Sequence, residues 1–193
     1  MLNQIRLMLI IIVCLPILAA TGCNDSANDS IEDDIDTLTS KIEESVDDLQ
    51  DEYQEYRDEN FVEDAIAANK RELHLLQLAQ QKGTSVKLRE EAKKMEADHT
   101  QLDNILRSYA RANNMEIKED AEVNTGLNDK EAGNDWDNEW TDKMIDEHQQ
   151  LIRRFENARD KSLSTELKEI VNNALPTLRN HLNSAESLKM SMR

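Results

Sequence analysis

Four ionisable side chains fall where a helical protein would ordinarily place Leu or Ala: Glu72, His99, His148 and His181. Each interrupts, near its middle, a stripe of apolar residues spaced alternately three and four apart. The first stripe reads Phe61, Ala65, Ala68, Glu72, Leu75, Ala79, and the second Leu88, Ala92, Met95, His99, Leu102, Leu106, Tyr109. The third is Trp140, Met144, His148, Leu151, Phe155, Ala158, and the fourth Leu167, Val171, Ala174, Leu178, His181, Ala185, Leu188. This spacing marks the seam of packed helices. By helical rise His148 and His181 fall within roughly one turn of each other in depth, while Glu72 and His99 are offset by roughly 7 Å that helix stagger can close. One carboxylate and three imidazoles so placed suit a single transition metal such as zinc, copper or iron. The same groups could instead form a metal-free hydrogen-bonded layer that fixes helix register. Either way they need partners, because an unpaired buried charge costs several kcal/mol. The carboxylates beside them in sequence, Asp98 next to His99 and Asp146 and Glu147 next to His148, are expected to support the rings. His74, two residues from Glu72, points away from the seam. Glu96 and His99 have the Glu-x-x-His spacing of di-iron bundles, but the pair occurs once, which argues against di-iron oxidation. No Gly-rich phosphate loop or Ser-His-Asp constellation is recognisable, and no catalytic residue is assigned.

Four helices must carry these stripes. The first covers residues 61–82 and stops at Gly83, a suitable C-cap. Thr84 or Ser85 can cap the second, which runs to about Ala112. Residues 113–133 lack sustained periodicity and form the one long connection, long enough either to span a bundle or to fold at one end. Asn134 or Asp135 opens the third helix, to about Lys161, and Ser164 caps the fourth, with Glu166 and Glu169 in its first turns. Two short connections and one long one give an all-α four-helix bundle over residues 60–193.

The remaining sequence is of a different kind. Residues 24–59 hold fifteen Asp and Glu against two Lys and Arg, most of the chain's net charge of −17. Within them residues 24–34 are too polar to order themselves and read as a tether. From Ile35 a thin stripe follows, Ile35, Leu38, Ile42, Val46, Leu49, Tyr53 and Tyr56, so residues 23–59 comprise an acidic tether and an amphipathic helix. The strong acidity excludes a nucleic-acid footprint, and the scarcity of Gly and Pro excludes an all-β fold. Residues 1–22 have the order of a secretory signal: Arg6, twelve apolar residues from Leu7 to Leu18, then small residues. The apolar run is shorter than the roughly 20 residues that span a bilayer. It leads into Ala20-Thr21-Gly22-Cys23.

That run resembles the lipobox of bacterial lipoproteins, with Ala20 in place of the usual Leu. The resemblance implies lipidation at Cys23 and a membrane partner reached through the N-terminal lipid. It also implies a mature chain without thiols, and Asn24 leans toward the outer membrane of a Gram-negative envelope. From about Phe61 to Leu188 the chain resembles the bacterial domain of unknown function 4142 family, exported proteins with a ferritin-like bundle. The likeness rests on Phe61 and Glu72 with Leu78-Ala79, on Met95-Glu96-Ala97-Asp98-His99, on Met144-Ile145-Asp146-Glu147-His148 and on Leu175-Pro176-Thr177-Leu178-Arg179-Asn180-His181. His74 stands where the family usually has a second Glu, and Glu147 where it usually has Asp. The family implies fold and export, and no established activity.

Overall fold

The computed structural model describes the backbone of residues 25–118, 123–160 and 163–192, and side-chain environments from residue 36 onward. Residues 1–22 and Cys23, with the signal and lipidation expected of them, lie outside the described residues. Among the described residues four helices follow one another: α1 (Asp25–Lys82), α2 (Val86–Ala112), α3 (Asn134–Asp160) and α4 (Thr165–Ser191). Among the described residues there is no strand, and no helix is long and apolar enough to cross a membrane.

The chain divides into two units, Met1–Asp47 and Asp48–Arg193. In the first, α1 is helical from Asp25, inside the stretch whose composition predicts an unordered tether. Extending a helix needs no second nucleation step, and Asp, Ser and Asn disfavour the helical backbone only weakly. Leu38 and Ile42 are 59% and 55% exposed, so the thin stripe buries little there.

The second unit is a four-helix bundle. Its stripes are buried as the spacing predicts, with two local differences: Ala158 is half-buried, and in α4 the core residue is Leu175, leaving Ala174 half-buried. The apolar interior forms two blocks. One gathers Phe61, Leu106, Phe155 and Leu167, the other Leu75, Leu88, Trp140 and Leu188. Glu72, His99, His148 and His181 lie between them in all four helices.

Gly83 makes the first tight turn. A Cβ there would come within 2.5 Å of the Ala79 carbonyl oxygen and 2.6 Å of a Leu88 methyl, so no larger residue fits. The long connection spans the bundle. Near its start, Glu116 N–H donates to Glu59 (3.2 Å), and near its end Asn128 bonds His74 (2.9 Å) while Lys82 donates to Asn128 and Lys130 carbonyls. α3 therefore starts at the same end as α2 and runs parallel to it, the single-crossover topology of ferritin-like bundles. His74, expected to point away from the seam, ties this connection to α1.

Two buried aspartates close the ends. Asp137 of α3 accepts from the Thr84 and Ser85 N–H groups and the Thr84 hydroxyl (2.6–3.2 Å), at the start of α2. Asp58 of α1 accepts from the Tyr109 hydroxyl (3.0 Å) and from Ser164 N–H (3.2 Å), at the start of α4. Each helical hairpin thus has its second helix capped by the other hairpin.

Candidate metal centre

The helical rise of about 1.5 Å per residue brings one seam residue of each helix to the same level. Glu72 (1% exposed), His99 (1%), His148 (0%) and His181 (7%) meet there. One ring nitrogen from each histidine lies within 4.8 Å of the others. His99 Nε2 is 3.4 Å from His148 Nε2 and 3.3 Å from His181 Nδ1. A tetrahedral ion with metal–nitrogen bonds of about 2.0–2.1 Å spaces its nitrogens by about 3.3–3.4 Å.

The outward nitrogens decide the tautomers. Asn69, fully buried one turn before Glu72, donates its amide N–H to the His99 carbonyl (2.9 Å), which turns its amide oxygen to His99 Nδ1 (2.7 Å). His148 Nδ1 faces the Met144 carbonyl (3.0 Å), and His181 Nε2 faces the Asp98 carboxylate (2.9 Å). All three partners are acceptors, so each outward nitrogen carries the proton. In the neutral rings the three inward nitrogens therefore present lone pairs to one another.

Glu72 adds to the surplus of acceptors. Its Oε2 is 3.1 Å from His99 Nε2 and its Oε1 is 3.6 Å from His148 Nδ1. Neither oxygen accepts an aligned hydrogen bond. Burial raises the Glu72 pKa well above the carboxylate range, and the Glu147 charge raises it further against a smaller opposing effect of Arg71. Burial lowers His99 well below the ordinary imidazole value, helped by His148 and His181. His148 falls to about 4 by burial and the His181 charge, against its bond to Met144. Burial thus holds His99 and His148 in the neutral form, the state in which imidazole ligates metals.

The flanking carboxylates divide. Asp98 supports His181 on α4 and not its sequence neighbour His99. Asp146 is exposed and accepts from Gln150, because a residue two positions before a seam histidine points about 200° away. Glu147 lies 4.0 Å from Arg71 and acts on Glu72 through its charge. Glu96 accepts from Gln80 (2.7 Å), away from the histidines, so its Glu-x-x-His spacing builds nothing here. Asn69 was not singled out from sequence, although a polar residue one turn from Glu72 on a buried face was a usable signal.

Fold and cluster together define a class: an all-α, ferritin-like bundle whose core holds a buried histidine cluster able to accommodate a metal ion. The sequence profile of the domain of unknown function (DUF4142) matches residues 44–188, and the chain belongs to that family. A DUF305 fragment from Deinococcus radiodurans, solved by crystallography, is similar in fold. At 12% identity it superposes with a TM-score of 0.63, over 70% of this chain and 96% of that one. Among curated proteins no significant match was found.

Proposed function

We propose that the bundle binds one divalent transition metal, zinc, copper or iron, through His99, His148 and His181 with Glu72 as an anionic neighbour. One observation carries this reading. Three inward imidazole nitrogens, each a lone-pair bearer in the neutral ring, and the Glu72 Oε2 oxygen, which accepts no aligned hydrogen bond, converge on a common space. A cation resolves such a set, and nitrogen–oxygen donors of this kind suit first-row divalent ions. The orienting partners Asn69, Met144 and Asp98 supply the hydrogen bonds that fix metal-ligating histidines.

Elemental analysis of protein purified without an affinity tag tests it. The wild type should carry about one metal per chain, and His99→Ala and His148→Ala should lose it. Stable protein that carries no metal and ignores added zinc, copper and iron would rule the reading out. The raised Glu72 pKa favours a second reading, in which a protonated Glu72 serves as the missing donor in a metal-free structural layer. That alternative requires the metal-free protein to be fully stable.

The protein works, in the same proposal, from the cell envelope, held by a lipid on Cys23. The support is the short apolar segment ending in Thr21-Gly22-Cys23, and Asn24 favours the outer membrane. Labelled palmitate should enter the wild type and not Cys23→Ser. Label persisting in that variant would refute the anchor.

A further inference from the structure

A cavity of about 190 Å³ between α2 and α4 reaches the histidine cluster. Its floor includes His99 and His181 with Leu102 and Leu178, all buried, while Asp98 and Asn173 at its rim are exposed. Glu72 and His148 do not line it, so the cluster is walled by protein on their side and accessible on the other. The opening lies where α4 departs from its expected seam. Leu175 takes the core position, and the small Ala174 is left in the cavity wall beside Thr177. Pro176 stands between these two and removes one rung of the helical hydrogen-bond ladder.

Resting on the metal-binding reading above, the geometry points to an open coordination position on the His99–His181 flank, filled from solvent by a small, uncharged molecule with a nitrogen or oxygen donor. Structural metal sites are closed by four protein ligands, whereas an open position exchanges water for an external ligand. Size sets one limit on that ligand. A cavity of roughly 150 Å³ accepts a benzene ring, so this one takes a five- or six-membered ring. Charge sets the other. The lining has no Lys or Arg to hold an anion, and its one carboxylate, Asp98, stands at the rim, so the passage to the metal favours an uncharged ligand over an anionic one. Asp98 also holds His181 Nε2, which keeps Nδ1 turned toward the shared space.

The full chain loaded with Co²⁺ tests this through its visible d–d absorption. Titration with imidazole should change the spectrum while the cobalt stays bound after desalting. Azide, smaller but anionic, should need at least about tenfold higher concentration. Thr177→Leu and Ala174→Leu each narrow the cavity and touch no proposed ligand. Either should weaken imidazole binding by about tenfold or more while leaving cobalt affinity within about threefold. If one variant fails to fold, the other and the wild-type titration decide. A cobalt-loaded protein whose spectrum ignores imidazole overturns the open position and leaves metal binding standing. Spectral change only through loss of cobalt, or azide binding as readily as imidazole, overturns it as well. A chain that retains no cobalt is loaded with Cu²⁺ and titrated in the same way, and one that retains neither these ions nor zinc or iron refutes the metal-binding reading itself, before imidazole is added.

Discussion

Glu72 is the side chain on which the two readings of the cluster differ most. A carboxylate buried to 1% exposure with no aligned hydrogen bond is a liability unless a cation sits beside it. Because its folded pKa is raised, the stability linked to Glu72 is fully present below its unfolded value and is lost as pH rises through the folded value. Metal-free protein therefore loses stability progressively as pH rises above the unfolded carboxylate value. Glu72→Gln keeps the shape and removes the ionisation. In metal-free protein it should raise stability by about 1–2 kcal/mol at pH 8, with the gain shrinking as pH falls toward the unfolded carboxylate value. The same change should weaken metal binding. Denaturant midpoints of both forms across pH are the measurement, and a Gln variant less stable than wild type at pH 8 would mean the carboxylate already has a donor. The four seam interruptions were legible from spacing alone. Their orienting groups were not. Asn69 reaches His99 across thirty residues and Asp98 reaches His181 across eighty-three, so proximity in sequence favoured the wrong partner for Asp98.

At the level of elements, the helix boundaries were legible because Gly83, Ser85 and Ser164 punctuate them. Both serines accept from the N–H three residues on, at Leu88 and Leu167. The course of residues 113–133 was not, since nothing local distinguishes a crossover from a loop folded at one end. What fixes it is long-range: His74 with Asn128, and Asp137 with Thr84 and Ser85. The opposite end is fixed by Tyr109, whose hydroxyl joins Asp58 and Ser164 (3.0 and 2.9 Å) and so ties α1, α2 and the start of α4 together. Burial raises its phenol to about 12, and the bond to and charge of Asp58 add to this, while Ser164 opposes it. With the unfolded phenol near 10, this stability is complete below about pH 10 and is lost progressively between about 10 and 12. It is worth at most about 2–3 kcal/mol. Tyr109→Phe should lose about 1 kcal/mol at pH 8 through the missing hydrogen bonds, yet show a flatter decline above pH 10. Denaturation curves at pH 8, 10 and 11 would check this. Parallel curves for the two proteins would show that the phenol does not couple to folding. Tyr53 and Tyr56, about 60% exposed, are unsuited to this role.

For the bundle as a whole, the polar layer divides an apolar interior that the stripes would otherwise make continuous. Phe61, Leu106 and Phe155 pack on one side of it, and Leu75, Leu88 and Trp140 on the other. Within the layer the metal-free contacts are between acceptors, so it contributes less to folding than its burial suggests. Single histidine replacements remove one ring but orphan its orienting partner. His99→Leu leaves the Asn69 amide oxygen buried and unpaired, at about 1–3 kcal/mol. Replacing the entire layer is different. Glu72→Met combined with His99→Leu, His148→Leu and His181→Leu joins the two apolar blocks and removes the buried carboxylate. Buried ionic clusters replaced by apolar side chains of similar volume often gain about 1–4 kcal/mol. Pairing this change with Asn69→Leu removes the amide that would otherwise lose its partner. Asp98 is exposed, so water can replace its bond to His181. The five-residue variant should thus be at least as stable as the metal-free wild type, with unchanged helical circular dichroism, while binding no metal. The metal-loaded wild type should exceed both, by an amount that grows with free metal concentration as ligand linkage requires. Thermal midpoints of the three forms, measured with and without added zinc, would decide it. A variant that unfolds below the metal-free wild type would show that the layer holds the bundle together by itself, and the case for a cation between the histidines would fall with that result.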